Sequence, residues 1–154
     1  MDKLETAKIL LAQIGMPPKQ QSMICVFSLL AMANVRKDTP WCEATNEWVR
    51  IHDIIAFTSD CYGVVYAENS RETFRKQALH PFRTAALIED NGLATNSPNY
   101  RYRLTNEFLK VVQEQIDDDS IVSEPGIALQ MFKSNHESLS EIYASKKRMQ
   151  KMPV

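Results

Sequence analysis

The sequence predicts a mainly α fold that carries one small β-hairpin, and three observations predict it. Glycine is scarce, 4 in 154 residues, in a chain containing Leu, Ala, Gln and Met, which favours helices over an all-β sandwich. Most of the chain places apolar residues at helical spacing between turn signals. One stretch, 100–104, alternates apolar and basic residues instead, the period of a half-exposed strand.

The elements follow in order. In 4–14, Leu4, Ala7, Leu11 and Ile14 recur at near-helical spacing with Ile9 off-register, and Gly15 follows as a stop. Pro17-Pro18 sits where a second helix can begin, and 19–34 supplies Met23, Val26, Phe27, Leu30 and Ala31 as a wide apolar face. Residues 35–46, with Arg36, Lys37, Asp38 and Pro40, read as a connection, with Trp41 and Trp48 as packing anchors. A third helix over 47–59 carries Ile51, Ile54, Ile55 and Phe57 and is broken by Tyr62-Gly63. After the link 66–69, Asn69 or Ser70 is the N-cap of a fourth helix reaching about Ile88; with Asn69 as cap, Glu72 stands at N3, a variant of the capping box. Pro81 removes a backbone donor and should kink or split that helix after His80.

Asn91-Gly92 is a turn, Leu93-Ala94-Thr95 a short strand, 96–99 a second turn, and 100–104 the returning strand. Thr105 caps a helix over 106–115, Asp117-Asp118-Asp119-Ser120 is a solvated break, and a last helical stretch over 139–149 ends in Lys146, Lys147, Arg148 and Lys151. Helix, turn, helix, two-stranded hairpin, helix is the element order of a winged helix-turn-helix, here with extra N- and C-terminal helices.

Composition excludes several classes. The 44% hydrophobic and 24% charged content is that of a globular protein, and the length is that of one domain. No apolar run approaches the ~18–20 residues of a membrane span, and no signal-peptide pattern opens the chain. Cys25, Cys42 and Cys61 are odd in number and far apart, and His52, His80 and His136 are isolated, which fits a reducing cytoplasm and no protein-held metal.

The net charge is −1, so any nucleic-acid signal must be local. Residues 69–103 hold six basic and three acidic side chains, leaving −4 on the remainder. A near-neutral protein with one basic face can bind DNA there, although the same charges also fit a solvated helix face. At 100° per residue, Phe74, Ala78, Phe82 and Ala85 share one arc with Leu79 at its edge. Asn69, Glu72, Thr73, Lys76, Gln77 and His80 occupy the opposite arc, and Arg71 and Arg75 flank the apolar arc and must snorkel outward. Such side chains read base edges: Arg and Lys donate to guanine, Asn and Gln pair with adenine, Thr meets the thymine methyl. Glu72 can cap the helix, orient Arg71 or Arg75, or accept from cytosine. Arg101 and Arg103 point one way from the wing, towards phosphates or the minor groove, while Tyr100 and Tyr102 pack inward.

The same residues carry a family resemblance. The run Glu68-Asn69-Ser70-Arg71-Glu72-Thr73-Phe74-Arg75, continuing through Phe82, Ala86 and Leu87 to Asn96-Ser97-Pro98 and Tyr102-Arg103-Leu104, resembles the N-terminal helix-turn-helix domain of type II restriction endonucleases of the BsuBI/PstI group. The opening 7–11 with Gly15-Met16-Pro17, and the terminal Tyr143, Arg148-Met149 and Met152-Pro153-Val154, are similar to that family in kind. The resemblance implies a parent enzyme that cleaves unmethylated duplex DNA at a short palindrome (the type members read CTGCAG), using Mg²⁺ held by a second, nuclease domain. It implies a two-fold dimer, with residues 1–34 and 139–152 both open as the contact. No Asp or Glu here is followed two residues later by Lys, so the chain lacks the (Asp/Glu)-x-Lys element of the common Mg-dependent nuclease.

The expected organisation is a winged helix-turn-helix over 1–116 and a helical linker over 117–154 leading towards an absent catalytic domain. The expected DNA-binding residues are Asn69, Ser70, Arg71, Thr73, Arg75, Lys76, Gln77 and His80 on the helix, with Asn96, Ser97, Asn99, Arg101 and Arg103 on the wing; no catalytic or metal-binding residue is expected in the chain itself. A freestanding winged-helix regulator and a winged helix used for protein contacts are the rival readings.

Overall fold

The computed structural model describes residues 2–117 and 126–136. Helix α1 spans Lys3–Gln13; Asp2 caps it by accepting the Glu5 N–H at 2.8 Å, and Gly15, at φ 99°, turns the chain away. A short 3₁₀ turn, Pro18–Gln21, precedes α2, Met23–Ala33, so the predicted single helix over 19–34 is two pieces separated by the extended Ser22. Every residue from Cys25 to Ala33 is buried. The apolar face expected on α2 is the whole circumference of the helix, as for a helix at the centre of a core. Ser28 is tolerated there because its hydroxyl donates to the Ile24 carbonyl at 2.7 Å. Asn34 ends α2 in the left-handed region, a role its short amide side chain suits.

Trp41 is buried as expected, but Trp48 is 40% exposed and its ring lies under the Arg103 guanidinium, 4.2 Å from the carbon to the centroid. Helix α3 spans Ile51–Tyr62 and not 47–59. Residues 47–50 are consumed by an element that the sequence reading missed: Val49 pairs antiparallel with Tyr102 through two 2.8 Å backbone hydrogen bonds. Asp53 then accepts the Arg50 N–H at 2.9 Å and starts the helix, and Gly63, at φ 70°, stops it.

Four helical segments run on from one another between residues 68 and 84: a 3₁₀ turn Glu68–Ser70, an α turn Arg71–Phe74, a wide π turn Arg75–Leu79 and an α turn His80–Thr84. We treat them as one helix, α4. The capping expectation fails here. The extended residue before the helix is Ala67, neither Asn69 nor Ser70 caps, and Glu72 pairs with Arg75 instead. Pro81 does not split the helix. Its missing N–H would have paired with the Gln77 carbonyl. That oxygen accepts from the Cys25 thiol at 3.1 Å and the Gln20 amide at 3.4 Å, so α2 and the turn before it replace the lost donor. The wide turn lets the consecutive residues Ala78 and Leu79 both be fully buried.

The helix also ends four residues earlier than expected. Leu87 N–H reaches the Phe82 carbonyl and Ala86 N–H the Arg83 carbonyl, a Schellman closure with Ala86 at φ 62°. A left-handed alanine is strained. Ala86→Gly should raise unfolding free energy by about 0.5–1 kcal/mol in denaturant titration, because glycine meets no Cβ clash there.

The hairpin is β1, Ile88–Asp90, antiparallel to β2, Tyr102–Leu104, with Ile88 facing Leu104 and Asp90 facing Tyr102. The predicted strand 93–95 is part of the connecting loop instead, whose Gly92 sits at φ 76°. With Val49 on its other edge, β2 is the middle of three extended segments. Thr105 caps α5, Asn106–Gln113, as expected, its hydroxyl accepting the Phe108 N–H at 3.3 Å. Asp117 is only partly solvated: Lys3, Thr6 and Trp41 all donate to it. Residues 127–136 form a further helix, α6, within the stretch expected as a helical linker but not placed there by periodicity. Glu114 accepts the Ala128 and Leu129 N–H groups at its start, and Phe132 packs on Phe108 with 5.7 Å between centroids. Asp118 to Ser120, the helical stretch 139–149 and its basic cluster lie outside the described residues.

Candidate nucleic-acid interface

Packing decides which side of α4 can meet a ligand. Phe74, Ala78, Leu79 and Phe82 are buried, Phe74 making an edge-on contact with Tyr66 at 5.1 Å between centroids. Ala85, expected on the same arc, is only half-buried. With that side fixed, Asn69, Arg71, Lys76, Gln77 and His80 are exposed and Ser70, Thr73 and Arg75 are half-buried. On the wing, Asn96 and Asn99 are exposed and Ser97, Arg101 and Arg103 half-buried, while Tyr100 and Tyr102 pack inward edge to face at 4.9 Å.

The cations are held in set directions. Arg71 pairs with Glu68 at 2.8 Å and Arg75 with Glu72, each three residues apart on the helix. Glu68 also meets His52 Nδ1 at 3.1 Å. The hydrogen bond from Arg71, then the nearby charges of Arg71 and His52, hold the Glu68 carboxyl below its ordinary value despite some desolvation. On the wing, Arg103 Nε donates to Glu89 at 2.6 Å, and Arg101 donates to the backbone carbonyls of Pro98 and Tyr100 at 2.9 and 3.1 Å. Arg101 therefore also braces the loop that carries Asn96, Ser97 and Asn99.

A third cluster joins helix and wing. Arg83 donates to Asp90 at 2.8 Å and to Tyr100 Oη at 3.1 Å, and Tyr100 Oη in turn donates to Asp90 at 3.1 Å. The Gly92 N–H, then Arg83 and Tyr100, outweigh desolvation and hold the Asp90 carboxyl below its ordinary value. Burial first, then its neighbours Tyr102 and Asp90, push the Tyr100 phenol up, so it stays a donor. This network sets the distance between the end of α4 and the base of the wing.

Between helix and wing lies a cleft of about 430 Å³, lined on one side by Arg50, Ile51, His52, Arg71 and Arg75 and on the other by Thr95, Ser97, Pro98, Tyr100 and Tyr102. Of the predicted residues, it brings Arg71, Arg75 and Ser97 together. Asn69, Lys76, Gln77 and His80 stand on the exposed side of α4, and none of the four lines the cleft. Arg50, His52, Thr95, Tyr100 and Tyr102 are its polar contributors that the predicted binding set left out. Arg50 and His52 flank the start of α3, and an inspection of the basic residues that open the helix before α4 would have found them. Three guanidiniums and an imidazole supply many hydrogen-bond donors, an arrangement that suits the binding of an anionic group.

Comparison with known proteins agrees with this architecture. The BsuBI/PstI restriction endonuclease HTH domain family matches residues 1–148. The type II restriction enzyme BsuBI of Bacillus subtilis is 32% identical over 154 residues, covering 97% of this chain and 47% of that enzyme. The type II restriction enzyme AplI of Arthrospira platensis is 28% identical over 151 residues, covering 96% of this chain and 45% of that one. The solved structure of SdaI restriction endonuclease superposes with a TM-score of 0.73 at 26% identity, over 85% of this chain and 41% of that chain. The chain thus spans about half the length of the relatives it matches. With the family match running over nearly its whole length, and the helix, turn, helix and wing in place, the chain belongs to the BsuBI/PstI restriction endonuclease HTH domain family.

Proposed function

We propose that this chain reads duplex DNA as the recognition domain of a cytoplasmic type II restriction endonuclease. The observation that carries the reading is the exposed side of α4, where Lys76, Gln77 and His80 project beside a cation-lined cleft shared with the wing. A helix enters the major groove in this way, its polar side chains on base edges, while cations of the helix flanks and wing meet phosphates. Asn69, Ser70, Arg71, Thr73 and Arg75 accompany them at the start of the helix, and Asn96, Ser97, Asn99, Arg101 and Arg103 follow the backbone from the wing.

In the parent enzyme, two copies of the domain match the two halves of a palindrome, and a separate nuclease domain hydrolyses the phosphodiester with Mg²⁺. The described residues do not fit that metal, since no three His, Cys, Asp or Glu side chains gather among them. Residues 1–116 form the recognition unit in this scheme and 117–154 lead towards the nuclease. No helix among the described residues is long and apolar enough to cross a membrane.

The test is selection of bound duplexes from a randomised pool by the 154-residue chain, followed by titration of the enriched and a random duplex across a salt series. Lys76→Ala and Gln77→Ala should each lose about 1–3 kcal/mol on the enriched duplex, with relaxed preference at one position and little change on the random one. A chain that enriches no sequence, or variants that bind both duplexes as the parent does, would refute the reading.

A further inference from the structure

The cleft between α4 and the wing has a property that base reading does not use. Its wall of basic side chains comes from two helices: Arg50 and His52 from the start of α3, Arg71 and Arg75 from α4. The carboxylates that hold these cations, Asp53, Glu68 and Glu72, do not line it. Each guanidinium has five N–H donors, so one carboxylate leaves others free.

Two buried polar atoms on residues that line this cleft meet no hydrogen-bond partner in good geometry among the described residues, although the Tyr102 hydroxyl lies close to that of Tyr100. They are Arg75 Nε and Tyr102 Oη, both buried, on residues that line it from opposite sides. Tyr102 is 1% exposed, and leaving a buried hydroxyl without a partner is unfavourable, a cost that is removed if a ligand oxygen completes the bond. Tyr102 itself is pinned by its β-pairing with Val49 on one side and Asp90 on the other. A volume of about 430 Å³ exceeds a bare ion and suits a sugar–phosphate unit.

We propose that this cleft seats one phosphodiester of a duplex strand, its anionic oxygens taken by Arg50, Arg71, Arg75 and the Tyr102 hydroxyl. The proposal rests on the duplex-binding reading and adds three residues to it: Arg50 and His52 at the start of α3, and a buried tyrosine. The strand then passes between α3 and the wing, which fixes the angle at which α4 enters the groove. The contact is to the backbone, so it serves every sequence alike.

Tyr102→Phe is the sharp test, because it removes only the hydroxyl. If that hydroxyl is merely structural, the variant melts no lower than the parent and binds duplex as the parent does. The seat predicts an affinity for random and enriched duplexes lowered about tenfold, the loss of one hydrogen bond to a charged group, with the melting temperature not lowered. Arg50→Ala should reduce the slope of log affinity against log salt by about 1. Variants that bind like the parent, or that lose affinity only in step with a lower melting temperature, overturn the seat. Titration with inorganic phosphate at constant ionic strength, followed by ¹⁵N spectra, separates this from failure of the duplex reading. If the parent chain binds no duplex, shifts at Arg75 Nε–H and Tyr102 that vanish in Arg50→Ala uphold a phosphate seat fed by a free phosphate, and a flat titration overturns it.

Discussion

Phe74→Ala should destabilise the domain by about 3–5 kcal/mol, seen as a lower urea midpoint at unchanged slope, and duplex binding should weaken with it. The ring is fully buried at the first α turn of α4, against α2 and α3, with Tyr66 edge-on to it at 5.1 Å. Truncation leaves a cavity that α2 cannot close, because α2 is already packed on every side. The damage is selective in kind. α4 has no side-chain cap and carries a wide turn and a proline, so its own hydrogen bonding is weak and packing holds it in place. With total stabilities of ordinary domains at roughly 5–15 kcal/mol, a loss of this size leaves a large fraction of molecules with α4 undocked at modest temperature. Phe74→Leu, which keeps most of the volume, should lose less than about 1.5 kcal/mol and retain binding. Lys76→Ala should leave the urea midpoint in place while changing base preference. If Phe74→Ala and Phe74→Leu behave alike, the ring is not what docks α4.

How much of this was legible in the sequence depended on whether the determinant was local. Thr105 before an amphipathic run, Gly15 and Gly63 as stops, and the alternation of Tyr102, Arg103 and Leu104 act within a few residues, and each does what its chemistry predicts. The features missed depend on distant partners. Val49 becomes strand-like only because β2 offers it an edge. Residues 85–88 read as the tail of a helix until Ala86 turns left-handed, a conformation for which alanine gives no signal, and Ile88 opens β1 instead. Pro81 signals a break, correctly counting the lost donor, but the sequence does not reveal that Cys25, 52 residues away from Gln77, takes the freed oxygen. The candidate site divides in the same way. Helical periodicity finds the outward residues of α4, but Arg50 and His52 join Arg71 and Arg75 only through the packing of α3 on α4. Tyr102, read as an inward-packing ring, is that and also carries a hydroxyl with no partner in good geometry among the described residues, which only the three-dimensional neighbourhood exposes.

The same distinction predicts a large effect at Asp117, which local reading places in a polar break. Its carboxylate accepts from the Lys3 ammonium, from the Thr6 hydroxyl at 2.6 Å and from the Trp41 indole N–H at 2.9 Å, joining α1 and the loop after α2 to the chain beyond α5. Lys3 is 8% exposed and lies 5.4 Å from the Trp41 ring centroid. Asp117→Ala leaves that ammonium nearly buried without its counter-charge and leaves the indole donor open. The expected loss is about 2–4 kcal/mol, below that of a fully buried pair because the carboxylate is partly solvated. Asp117→Asn keeps an acceptor for Thr6 and Trp41 but not the charge, so it should fall between parent and Asp117→Ala. Burial by itself raises the carboxyl's pKa, but the bonds from Lys3, Thr6 and Trp41 outweigh it and hold the group below 3.8, its ordinary value. The unfolded chain therefore takes up the proton first as pH falls. The stabilisation is complete above that ordinary value and disappears as pH drops through the lower folded value. Unfolding free energy measured between pH 7 and pH 2 should thus fall less steeply at the acid end in Asp117→Asn than in the parent. Equal acid slopes in the two proteins would mean that the Lys3–Asp117 charge pair contributes no stability of its own.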